Sequence, residues 1–106
     1  MNEALNENYK TILQLDAELN RLGIEHELKR MLDGWILFYP NKMNRIGDVI
    51  EHFGSYGHEC DLVEAYGFPE CKGDVIANLT FEEALKLFKD ADSRRKANEK
   101  IQAGIH

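Results

Sequence analysis

Leu5, Tyr9, Ile12, Leu15, Leu19 and Leu22 recur at three- and four-residue steps near the start of the chain. That spacing puts them on one face and predicts a helix over residues 2–22. Gly23 stands where such a helix closes through a left-handed residue. The period then changes. "IEHELKRMLDGWILFYP" holds Asp33-Gly34, a pair suited to a two-residue hairpin turn with positive φ at both central positions. A turn there pairs Leu32 with Trp35, Arg30 with Leu37 and Leu28 with Tyr39. One face of the hairpin would show Leu28, Leu32, Trp35, Leu37 and Tyr39, with Arg30 at its margin, and is expected to lie against the helices. The other mixes Glu27, Lys29, Met31, Ile36 and Phe38. Pro40 has no N–H for a ladder and ends the second strand.

Residues 41–44 read as a polar connection. In "RIGDVIEHF", Ile46, Val49, Ile50 and Phe53 fit a helical stripe, whereas Gly47 and the β-branched content fit a strand. A third antiparallel strand over residues 46–53 is the expectation, because a lone hairpin is marginal and a meander of three gives the helices a surface to pack on. If Phe53 faces the core, His52 points outward. Gly54 and Gly57, around Ser55-Tyr56, suit a sharp exit from the strand, with the Tyr56 ring laid on the core and its hydroxyl in water. Residues 61–66 are predicted to form a short helix closed by Gly67, and Phe68-Pro69 a break. Thr80-Phe81-Glu82-Glu83 is a capping box that opens a helix whose buried stripe is Phe81, Ala84, Leu85 and Phe88. Beyond Ala91 that helix is expected to be solvated. The fold class is α+β in two layers: N-terminal helix, three-stranded antiparallel meander, short helix, long C-terminal helix, all in one domain over residues 1–106.

Composition narrows the function classes. The 106-residue chain has a formal charge of −6 and a pI near 5.2, which argues against direct binding to nucleic acid or to an anionic membrane. No apolar run approaches the roughly 18 residues of a membrane span. The opening "MNEALNENYK" is polar where a signal peptide would be basic and then apolar, so a cytoplasmic location and free thiols are expected. The charge is also uneven. Residues 46–85 hold nine acids against the single base Lys72, a net −8, while residues 86–106 balance six bases against three acids at +3.

The stretch "GSYGHECDLVEAYGFPECKG" concentrates the candidate chemistry. His52, His58, Cys60 and Cys71 run H-x5-H-x-C-x10-C, which lacks the close pairs of structural zinc sites. Half-buried thiols and surface histidines are the simpler reading, and no metal or other cofactor is expected. Cys60 as a nucleophile is disfavoured by Glu59 and Asp61 on either side, since negative neighbours raise a thiol pKa. Carboxylate pairs could form, but acid–base work also needs a pocket that perturbs one of them. A phosphate cradle at Gly54-Ser55-Tyr56-Gly57 would sit in a repelling field.

"GDVIEHFGSYGHECDLVEAYG" followed by "LTFEEALKLF" resembles a group of small phage- and prophage-encoded proteins of Gram-positive bacteria. Ser55-Tyr56-Gly57, residues 61–67 and residues 79–83 carry the resemblance, over about the second half of the chain. Cys60 and Cys71 are not part of that pattern. The resemblance implies an accessory protein of a mobile element in a bacterial cytoplasm, without catalysis. Together with the acidic block it leads to the expectation of a non-enzymatic protein that binds a basic host or phage protein, itself a nucleic-acid-binding or defence protein, through Ser55, Tyr56, His58, Glu59, Asp61, Glu64 and Glu70. One alternative is a small zinc-stabilised module using His58, Cys60 and Cys71. Another is a homodimer formed through Met31, Ile36 and Phe38.

Overall fold

The computed structural model describes residues 9–105. Its elements are α1 (Lys10–Leu22), β1 (Glu27–Met31), β2 (Gly34–Tyr39), β3 (Gly47–Glu51), β4 (Val63–Tyr66), β5 (Ile76–Leu79) and α2 (Phe81–Ile105), with single 3-10 turns at His58–Cys60 and Pro69–Cys71. The strands form one antiparallel sheet in the order β1-β2-β3-β4-β5. The α+β class is as expected, but the meander has five strands rather than three.

Helix α1 buries Ile12, Leu15 and Leu19 of the stripe read from the sequence, whereas Leu22, in its last turn, is exposed. Gly23, at φ 70, closes it: its N–H donates to Asn20 O at 3.2 Å, and Ile24 N–H donates to Leu19 O at 3.0 Å. These bonds satisfy carbonyls that the helix end would otherwise orphan. The start of α1 differs from the expectation: the helix begins at Lys10, with Tyr9 as a non-helical N-cap at φ −127. The predicted helix over residues 2–22 is therefore not continuous through Tyr9, and residues 1–8 lie outside the described residues.

The hairpin forms, with its turn one residue earlier than expected. Met31 pairs with Gly34 and Leu28 with Leu37, so Leu32 and Asp33 are the turn residues; Leu32 takes φ 55 and is exposed. Gly34 serves close approach instead. A Cβ there would lie 2.0 Å from the Glu51 carbonyl oxygen across the ladder. Moving the turn by one residue shifts each partner by two, and side chains alternate with period two. The facial assignment of Leu28, Trp35, Leu37 and Tyr39 therefore survives, and only Leu32 leaves the buried face.

Two expectations fail beyond β3. Residues 63–66 form a strand and not a helix: Val63 and Ala65 are buried, while Glu64 and Tyr66 point to the other side. A six-residue helix would leave most of its end groups unpaired, whereas a strand satisfies the open edge of β3 through Asp48–Tyr66, Val49–Ala65 and Ile50–Glu64. Residues 76–79 then add β5, with an irregularity between Val63 and Ala65. The capping box is present: Thr80 N–H donates to Glu83 Oε1 at 2.9 Å, and Glu83 N–H to Thr80 Oγ1 at 3.2 Å. Past Ala91, α2 continues as a mostly exposed helix.

Both helices lie on one face of the sheet, against Leu37, Tyr39, Val49, Val63, Ala65 and Leu79. Phe68 enters this layer over Gly47, where a Cβ would come within 2.5 Å of its ring. Phe68 meets Phe88 edge-on at a 5.2 Å centroid distance, and Phe88 meets Tyr39 at 6.0 Å, separations at which aromatic pairs attract beyond their buried area. Among the described residues no helix covers the opposite face.

Candidate functional site

Two regions carry chemistry, and both lie at the end of the sheet where β3 stops. The first is internal. Glu51 is fully buried on the helix side, and its Oε1 accepts the Ile12 N–H at 2.9 Å. Helix α1 has no side-chain cap of its own and no acid in its first turn. Glu51 thus caps it from a strand, supplying negative charge where helix amides favour it. Burial nevertheless pushes the Glu51 carboxyl up to about 7, opposed by the backbone bonds from Ile12 and Thr11. Its Oε2 has no hydrogen-bond partner among the described residues.

Around Glu51 the contacts are mutual. Tyr9 donates its hydroxyl to Asp33 Oδ2, and Phe53 N–H donates to Asp33 Oδ1 at 3.0 Å. Thr11 Oγ1–H donates to the Asp61 carbonyl at 2.8 Å. His52 is buried and Phe53 exposed, the reverse of the expectation. The strand ends at Glu51, so its alternation does not extend to residues 52 and 53. His52 Nδ1 accepts the Gly54 N–H at 2.9 Å, which leaves the proton on Nε2. Ser55 is buried too: its hydroxyl accepts the His52 N–H at 3.1 Å and donates to the His52 carbonyl at 2.9 Å. It staples the turn and is not available to a partner. Glu51 was legible only as one more acid. The available signal was its position two residues after Val49, on the inward parity of a strand.

The second region is the surface of residues 56–62 and the start of α2. Tyr56 is 68% exposed, against the expectation that its ring would lie on the core. Its N–H donates to Glu64 Oε1 at 3.1 Å, which fixes this loop to β4. His58 lies 3.6 Å from Glu59 and 6.3 Å, ring to ring, from Tyr9. Val63 pairs with Leu79, so Glu59, four residues before Val63, and Glu82, three after Leu79, flank the same end of the sheet. A Cβ on Gly57 would touch Asn78, which brings the loop against β5.

The acidic block is not one continuous surface. Asp61 pairs with Lys10 at 3.7 Å, Asp48 with Arg45 at 4.0 Å and Glu70 with Arg94 at 3.3 Å. Glu70 belongs to the turn after β4, at the opposite end from Tyr56. Among the described residues, no ion pair to Lys or Arg involves Glu59, Glu64 or Glu82. The structure therefore gathers Tyr56, His58, Glu59, Asp61 and Glu64, and leaves Ser55 inside and Glu70 apart.

The zinc set is not assembled. Cys60 is exposed and Cys71 is buried beside Phe68, where burial raises its thiol pKa. Among the described residues no group of three His, Cys, Asp or Glu side chains is placed to hold a metal ion. A groove of about 340 Å³ beside α2 is lined by Ile46, Pro69, Arg94 and Arg95, but Glu70 and Glu25 already hold its two guanidiniums. No helix among the described residues is long and apolar enough to cross a membrane. Comparison of the chain with protein-family models, with curated proteins and with solved structures gave no match.

Proposed function

We propose that this chain is a non-enzymatic interaction domain that meets a Lys- and Arg-rich protein through its acidic end. The observation that carries this reading is the exposed Tyr56 on a loop braced by Glu64, with Glu59 three residues further along the same loop and Glu82 three residues after the Val63–Leu79 pair. An exposed tyrosine on a loop with carboxylates that have no Lys or Arg partner among the described residues suits a basic surface, because the ring supplies contact area and a face for a guanidinium while the carboxylates steer the encounter. Asp61 is a weaker contributor, since Lys10 already screens it. The resemblance to phage- and prophage-encoded proteins gives the setting, a bacterial cytoplasm, and the partner class, a basic host or phage protein that handles nucleic acid or serves in defence.

The test compares three tagged proteins in host lysate at low and moderate salt: wild type, a Tyr56→Ala/Glu59→Gln/Glu82→Gln variant, and an Asp61→Asn/Glu70→Gln control. Wild type and control should hold the same basic protein, more weakly as salt rises, and the triple variant should release it. Equal capture by all three would sink the reading.

A further inference from the structure

The helix-free face of the sheet carries a pattern that only the strand register reveals. Lys29 pairs with Ile36, Ile36 with Ile50, and Ile50 with Glu64. Paired residues point to the same side of a sheet, so these four side chains form one row across β1 to β4: a cation, two isoleucines, an anion. The next row reads Glu27, Phe38, Asp48, Tyr66 by the same registers. Ile36 and Ile50 are half-buried without belonging to the core, and Tyr66 is 49% exposed.

We infer that this face docks against the same face of a second copy, about a two-fold axis parallel to the strands and lying between β2 and β3. That operation reverses the row. Lys29 of each copy then sits over Glu64 of the other, and Ile36 over Ile50. A two-fold axis perpendicular to the strands would instead stack Lys29 on Lys29 and Glu64 on Glu64, so the charges select the first arrangement. In the second row Glu27 comes to face the Tyr66 hydroxyl of the other copy, a donor. Asp48 comes to lie over the position of Phe38, which is already buried within one copy, with Arg45 over its ring at 5.6 Å, so the contact of Asp48 there is with the guanidinium. Within one copy Lys29 Nζ is 3.2 Å from Glu27 Oε2, and Glu64 uses only Oε1 for Tyr56. Each therefore has capacity for a second charged contact.

The size of the face sets the strength. Four strands by five residues cover about 19 by 17 Å, well under the roughly 800 Å² per partner of a standard stable interface. A weak, concentration-dependent dimer follows. This surface shares Glu64 with the acidic end, where the same carboxylate braces the Tyr56 N–H, but Lys29, Ile36 and Ile50 lie outside that end and neither proposal requires the other.

Sedimentation velocity on the full chain from low micromolar to near-millimolar concentration provides the test, with Lys29→Glu and Glu64→Lys made singly and then mixed. Wild type should shift from monomer to dimer over this range. Each reversal places like charges at both symmetric contacts and should weaken association at least about tenfold. An equimolar mixture of the two variants restores opposite charges at both contacts, so it should dimerise as wild type does. Wild type that stays monomeric overturns the proposal, as do single variants that associate like wild type. A mixture that fails to associate, when both variants give the circular dichroism spectrum of wild type, overturns it too.

Discussion

The two ends of the layered core close in different ways. At one end Phe68, Phe88 and Tyr39 fill the space with rings, and the polar groups there are answered: Tyr39 donates to Asp92 Oδ1 at 3.0 Å, and Lys96 lies 3.0 Å from Asp92 Oδ2. At the other end the space is filled by Glu51, His52, Ser55 and Tyr9. There a buried carboxylate caps a helix with one oxygen, and its second oxygen has no hydrogen-bond partner among the described residues. Both ends bury a carboxylate, yet only the first surrounds it with donors. A buried charge with incomplete partners is costly and shifts its own protonation instead. The aromatic end is where the fold gains stability independently of pH, and the polar end is where it becomes sensitive to pH.

Removing the ring of Phe68 should have the largest effect. Phe68→Ala empties a fully buried site against Gly47, Tyr39 and Phe88 and should lower unfolding free energy by about 4 kcal/mol, read by urea denaturation. The loss should be equal at pH 5 and pH 8. A small or strongly pH-dependent loss would break the distinction between the ends.

Glu51→Gln comes next and sharpens it. The folded carboxyl titrates near 7 against an ordinary 4.5. A raised acid pKa means the folded state binds the proton more tightly. The contribution to stability is therefore full below about 4.5 and disappears as pH rises through about 7, a change of about 3 kcal/mol. Glutamine retains an oxygen for the Ile12 N–H and does not ionise, so the variant should gain on wild type as pH rises from 5 to 8. Melting temperatures of the two proteins across that range give the measurement, and parallel pH profiles would rule out Glu51 as their source.

Tyr39→Phe should be the mildest. It removes one donor to Asp92 while Lys96 remains, for a loss of about 1–2 kcal/mol by the same denaturation assay. A loss as large as that of Phe68→Ala would mean that the aromatic end depends on its hydrogen bond more than on its packing.

What could be read in advance follows the range of the interaction. The face of α1, its Gly23 closure and the Thr80–Glu83 box depend on residues within a turn of one another, and the closure and the box are present as expected, as is the face apart from Leu22. The buried face of the hairpin was legible because period two is insensitive to a one-residue error in the turn. Over residues 61–66 the local pattern of Leu62, Val63 and Tyr66 suits a helix, and only the unpaired edge of β3 decides for a strand at Val63–Tyr66. At the candidate site, Tyr56 and Glu59 are legible as loop positions, whereas the strand position of Glu64 and the exposure of Tyr56 are not, and the counterions of Asp61 and Glu70 come from α1 and α2, at sequence distances that no local pattern covers.

By itself, then, the sequence determined the buried face of α1 and its Gly23 closure, the capped start of α2, the hairpin faces and an excess of acid in the middle of the chain, because those depend on period, local caps and composition. Tertiary structure alone decided that β4 and β5 complete the sheet, that Glu51 caps a helix 39 residues away in the chain, and that Asp61 and Glu70 find cations on α1 and α2. The reason in each case is that an edge, a helix end or an ion pair is satisfied by whichever group packing brings near. That group is fixed by the fold and not by its neighbours along the chain.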